Sequence, residues 1–120
     1  MAAFADALKA VATRVPESQV LMIIGTDGIP IEKLTLRPDP NLEAVAAEHT
    51  TLLRASLSAA ADTGLGHLQE LTVVTERMTT LLVAITPEYF LFACLTPGAL
   101  TGRARFALRV AGFGLRREFD

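Results

Sequence analysis

Residues 79–95, TTLLVAITPEYFLFACL, constrain the fold more than any other stretch. Two apolar blocks, residues 81–85 and 89–95, are separated by Thr86-Pro87-Glu88. Each block has the length of a strand and is too short for a stable helix. Val83, Ile85, Tyr89, Phe90 and Phe92 are residue types that suit a pleated, buried surface. Pro87 has no N–H and fixes its own φ, so it belongs in a turn. The pattern predicts an antiparallel hairpin. A sheet with one wet face alternates apolar with polar residues, and these blocks do not alternate. They need cover on both faces. A buried helical hairpin is the alternative, and the short blocks and the proline disfavour it.

The flanking chain carries the cover. Phe4, Leu8, Val11 and Val15 recur at helical spacing, which predicts a short amphipathic helix over residues 3–14, stopped by Pro16. Residues 19–24, QVLMII, read as a strand. Thr26-Asp27-Gly28 is a hairpin signal, because the turn needs positive φ and glycine supplies it at little cost. The following run, residues 29–36, is an edge strand on account of Pro30. Gly25 and Gly28 do not form a phosphate loop, since no Lys-Ser/Thr pair follows and no helix opens there.

Arg37-Pro38-Asp39-Pro40 breaks the chain. Asn41 is the expected N-cap of a long helix over residues 41–62, with Glu43 in its first turn. Leu42, Val45, Ala46, His49, Leu52, Leu53, Leu57 and Ala60 form its apolar stripe. The opposite side holds Ala44, Ala47, Thr51, Ala55, Ser58 and Asp62, a face plain enough to let another helix approach closely. An alanine-rich face chosen only for helix propensity is the alternative. After Gly64-Leu65-Gly66, residues 68–76, LQELTVVTE, form a third strand whose Leu71, Val73 and Val74 make an adhesive edge. Residues 100–118 read as a last helix with Phe106, Val110 and Phe113 inward and Arg105, Arg109 and Arg116 on an outer stripe. Such a stripe is either a solvated face or a docking site for an acidic partner.

The order helix, two strands, helix, three strands, helix predicts an α+β fold in one domain spanning residues 1–120. Its five-stranded antiparallel sheet has the long helix on one face and the terminal helices on the other. The chain is 51% hydrophobic, 20% charged and has a mean hydropathy of +0.39. So apolar a chain of 120 residues leaves greasy surface exposed as a monomer, and such surface marks a partner. No run reaches the roughly 20 residues a membrane span needs. The first ten residues, MAAFADALKA, lack the basic and long apolar regions of a secretion signal. The lone Cys94 cannot form an internal disulfide, which fits a cytoplasmic protein. The net charge of −2 argues against a nucleic-acid binder, although residues 100–120 hold five arginines against two acids.

Catalytic chemistry is not visible. His49 and His67 are isolated, and no metal-ligand spacing, nucleophile elbow, Walker loop or dinucleotide fingerprint occurs. Neither a catalytic residue nor a cofactor or metal site is expected.

Three segments carry a resemblance: Gly25-Thr26-Asp27-Gly28-Ile29-Pro30-Ile31, Glu88-Tyr89-Phe90-Leu91 and Gly102-Arg103-Ala104-Arg105-Phe106. With the element order, they make the chain resemble the roadblock family of dynein light chains and bacterial gliding regulators, with an MglC-like or MglB-like flavour. The resemblance implies a non-catalytic adaptor that homodimerises or pairs with a paralogue. Third strands would join edge to edge and middle helices pack side by side. The implied interface holds Ala47, Thr51, Arg54, Ala55 and Ser58 from the helix. The strand adds Glu70, Leu71, Thr72, Val73, Val74 and Thr75. The implied partner is a Ras-like, MglA-type GTPase or a second roadblock protein, in motility or polarity control. Membrane insertion is not implied. A small-molecule sensor of the PAS or profilin-like type is the alternative, and it requires a sizeable pocket with convergent polar groups.

Overall fold

The computed structural model describes residues 2–119. The elements run α1 (Ala2–Arg14), β1 (Ser18–Gly25), β2 (Pro30–Thr35), α2 (Leu42–Asp62), β3 (Glu70–Val74), β4 (Thr79–Ala84), β5 (Tyr89–Leu95) and α3 (Thr101–Leu115), closed by a 3-10 turn at Arg116–Phe119. The sheet order is β2-β1-β5-β4-β3, with every neighbouring pair antiparallel. The apolar block Tyr89–Leu95 therefore sits at the centre, where both faces need covering.

Alternate residues of the central strands feed two cores. Leu21, Ile23, Leu81, Val83, Leu91 and Leu95 face α1 and α3, which contribute Leu8, Val11, Ala107, Leu108 and Leu115. Met22, Ile24, Leu82, Phe90, Phe92 and Cys94 face α2, which contributes Leu42 and Leu53. The absence of alternation in the sequence is thus the signature of a sheet sandwiched between helical layers.

The two borders of the sheet differ. β2 begins at Pro30 and is joined to β1 across a register shift between Ile23 and Ile24. The turn before it holds Gly28 at φ +86°, in the left-handed region glycine tolerates best. The Asp27 carboxylate accepts the Ile29 N–H at 3.0 Å. At the other border β3 pairs only with β4, and its register Val73↔Thr80 fixes which groups look outward. The Thr75 N–H donates to Met78 O, and the Ala84 N–H donates to Gln69 O. Odd-numbered positions of β3 therefore serve β4. Glu70, Thr72 and Val74 turn their N–H and C=O groups to the open border.

Three details depart from the sequence reading. Asn41 makes no side-chain cap; Asp39 instead accepts the Asn41 N–H on Oδ1 at 2.8 Å and the Leu42 N–H on its carbonyl at 3.2 Å. Leu52, placed on the apolar stripe, is 44% exposed, because the helix seats on the line through Leu42, Thr50 and Leu53. In α3 the expected orientation is reversed. Phe106, Val110 and Phe113 are exposed, while Ala104, Ala107, Leu108, Gly112 and Leu115 face the sheet. The reason is steric: a Cβ on Gly112 would lie 3.3 Å from the Ala84 carbonyl oxygen, so the helix backbone lies too close to β4 for a phenylalanine face.

Candidate interaction surface

Two adjoining features define the surface. The first is the open border of β3. The second is α2, which spans 21 residues and buries only Leu42, Thr50 and Leu53. Ala44, Ala47, Thr51, Ala55, Ser58 and Asp62 lie on the face expected to meet another helix, and all six are exposed. Small side chains there leave the helix backbone accessible to close approach.

The inner side of α2 is pinned rather than broadly packed. His49 is half-buried beside Phe92, with ring centroids 5.6 Å apart. Its Nδ1 lies 2.8 Å from the Val45 carbonyl oxygen, which can only accept, so Nδ1 carries the proton. Nε2 then accepts from the Thr80 hydroxyl at 2.6 Å. Farther along, Thr50 packs beneath Gly28 of the β1–β2 turn, and Arg54 Nε donates to the Thr26 carbonyl at 2.8 Å. Arg54, assigned to the interface from sequence, thus also ties α2 to its own sheet.

Glu70 has a comparable second engagement. Its carboxylate receives Arg105 Nε at 2.6 Å and Arg109 Nη2 at 3.0 Å, and Thr72 donates to it at 3.2 Å. Burial pushes this carboxyl up. The hydrogen bond from Arg109 and the charge of Arg105 outweigh that and hold it below the usual carboxylate range. Leu71 points to the other face and packs on the α2-side core. Val74 is 68% exposed at the strand end, and Val73 is half-buried. Thr75 is exposed, with its hydroxyl donating to Met78 O at 2.8 Å. Of the three arginines singled out in the last helix, Arg105 and Arg109 clamp Glu70, while Arg116 lies over the Phe113 ring, 5.4 Å from its centroid.

Among the described residues, no group of three or more His, Cys, Asp or Glu side chains could hold a metal ion, and no helix is long and apolar enough to cross a membrane. Burial pushes the Cys94 thiol up to about 12, far from the thiolate a nucleophile requires. A groove of about 360 Å³ opens at the surface between α2 and the β3–β4 turn and is lined by residues that include Gln19, Asn41, His49, Arg77 and Thr80.

The Roadblock/LC7 domain profile matches residues 5–96. The chain belongs to the Roadblock/LC7 family. This roadblock domain is similar in structure to MglC from Myxococcus xanthus, with 27% identity, a TM-score of 0.69 and coverage of 97% of this chain and 98% of the other. It is also similar to the gliding protein MglB from Thermus thermophilus, at 18% identity and TM-score 0.83, covering 97% of this chain and 87% of that one. A Roadblock/LC7 domain from Streptomyces avermitilis matches at 16% identity and TM-score 0.80, covering 94% of each chain. At such identities the last two likenesses speak for the fold. A search of curated proteins finds no match.

The exposed stripe of α3 is not apparent from sequence. That helix has two apolar faces, and choosing by bulk selects the aromatic one. The arginines on both sides of Phe106, Val110 and Phe113 are the available signal.

Proposed function

We propose that this roadblock domain is a dimeric, non-catalytic regulator or scaffold in a Ras-like, MglA-type GTPase system, and that it acts in motility or polarity control. It would contact the GTPase itself or a paralogous roadblock protein. The observation that carries this reading is the unfinished border of β3, on a chain whose α2 also leaves a bare, small-residue outer face exposed. One strand joined to its copy and two helices laid side by side would hide both at once. A standard specific interface buries about 1,600 Å² in total, within reach of such a pairing. The likeness to MglC and to the gliding protein MglB supports the GTPase setting. Ala47, Thr51, Arg54, Ala55, Ser58 and residues 70–75 are the proposed interface.

Light scattering at micromolar concentration tests the dimer, and a mass of one chain would remove its basis. Affinity capture from native cytosol, with GTP-loaded and GDP-loaded conditions compared, tests the setting. Recovery of a small GTPase or a second roadblock protein is the expected result. Recovery of neither would leave the regulatory assignment unsupported.

A further inference from the structure

Phe106, Val110 and Phe113 are 64%, 48% and 73% exposed and recur at i, i+4 and i+7 on α3. Large apolar side chains scattered singly need no explanation, but a continuous helical stripe marks a surface meant to be covered. This stripe lies across the sheet from α2 and contains none of the proposed dimer residues, although Arg105 and Arg109 at its flank hold Glu70 of β3. Arginines border it on both sides: Arg103 and Arg117 on one, Arg105, Arg109 and Arg116 on the other. Among the described residues, the carboxylates paired with them are Glu70, which holds Arg105 and Arg109, and Glu118, 4.0 Å from Arg117.

We propose that the outer face of α3 docks an amphipathic helix of a partner protein, one whose apolar seam is flanked by carboxylates. Charge selects this occupant. A second copy offering the same helix would set two faces together that are net positive even with Glu70 and Glu118 counted, and like charges in close apposition repel. A bilayer fits the shape less well. The stripe adjoins a groove of about 300 Å³ between α1 and α3, walled by Ala3, Ala7, Ala107, Ala111 and Gly114. A flat membrane surface leaves that groove empty, whereas the ridge of a third helix fills it. Binding of an apolar seam along i, i+3, i+4 and i+7 anchors is a recurring mode of helix recognition.

The test uses the full chain and two fluorescein-labelled helical peptides with the same leucine seam, one flanked by glutamates and one by lysines. Fluorescence anisotropy should show the glutamate peptide binding at least roughly tenfold tighter than the lysine peptide, with affinity falling as salt rises. Phe113→Ser and the double change Arg103→Glu with Arg116→Glu should each weaken binding by a similar factor. All these positions are exposed, so circular dichroism should show an unchanged melting temperature. Equal binding of both peptides, or no loss in the variants, overturns the proposal. So does co-sedimentation of the chain with phosphatidylglycerol-rich vesicles that Phe113→Ser abolishes, because the stripe would then be a membrane contact. Light scattering of Phe113→Ser should match the unaltered chain, which separates this result from the fate of the dimer.

Discussion

The Thr80 hydroxyl donates to His49 Nε2 at 2.6 Å, joining the middle of α2 to the fourth strand of the sheet. Because α2 buries so few side chains, this polar contact carries an unusual share of its attachment. Thr80→Val should cost about 1 kcal/mol, the usual net worth of a hydrogen bond, and leave a half-buried ring nitrogen without its donor. A double-mutant cycle with His49→Phe, read by urea unfolding, should return a favourable coupling energy. Additive effects would show that the two groups act independently.

The Glu70 clamp makes stability depend on pH in a defined sense. A carboxyl held below its ordinary value of 4.5 favours the folded state above that pH, and the contribution disappears as pH falls through the folded value. Both arginines are about half exposed, so the network contributes roughly 0.5–1 kcal/mol. Glu70→Gln should therefore be slightly less stable than the unaltered chain at pH 7. Denaturant melts should show the gap closing as the pH falls below 4.5 and through the lower folded-state value. A gap that persists in acid would mean that packing, not charge, holds the strand to α3.

The two glycines near the end of α3 should respond differently to alanine. At Gly114 the space a Cβ would occupy has no neighbouring atom within 4 Å, so Gly114→Ala should stabilise the helix by up to about 1 kcal/mol. At Gly112 the same gain is opposed by the Ala84 carbonyl at 3.3 Å, which belongs to a strand end and yields little. Gly112→Ala should be neutral or destabilising in a thermal melt. A rise in melting temperature at both sites would show that α3 can shift away from the sheet.

The alternation of β3 allows a selective disruption of the proposed dimer. The Thr72 N–H faces the open border, so Thr72→Pro removes a donor that the β3–β4 ladder does not use. The expected product is a folded chain with native circular dichroism and a monomeric mass by light scattering. Ala55→Glu, on the exposed face of α2, should have the same effect. Dimers that survive both changes would place the interface elsewhere.

Cys94 is fully buried, and its thiol stays protonated at any ordinary pH. In the native protein it should resist dithionitrobenzoate at pH 8, reacting only as fast as the chain unfolds. Rapid stoichiometric labelling would mean that the α2-side core opens readily.

Element order and the need for cover on both faces are legible in the sequence because the central strands are apolar at nearly every position, a pattern with few physical solutions. Chain order alone does not place β1 beside β5, since that pairing depends on contacts far apart in sequence. The seating of α2 is misread at Leu52 because three or four apolar columns on one helix compete, and only the sheet beneath decides. Facing in α3 fails for a related reason: side-chain volume suggests a phenylalanine core, whereas the close approach of Gly112 to Ala84 admits only a thin alanine and leucine face. The roles of Glu70 and Arg54 are legible as surface charge but not as clamps, because their partners lie 28 to 39 residues away.

The register shift and Pro30 at the β2 border have a bearing on the size of any assembly. A sheet with two adhesive margins can propagate into a ribbon, each added copy exposing a fresh margin for the next. Here one margin is kinked and headed by a residue with no amide hydrogen, while the other is regular. Growth through β3 would use up the one regular margin of each participant, so an assembly built on the proposed interface would terminate at a closed pair.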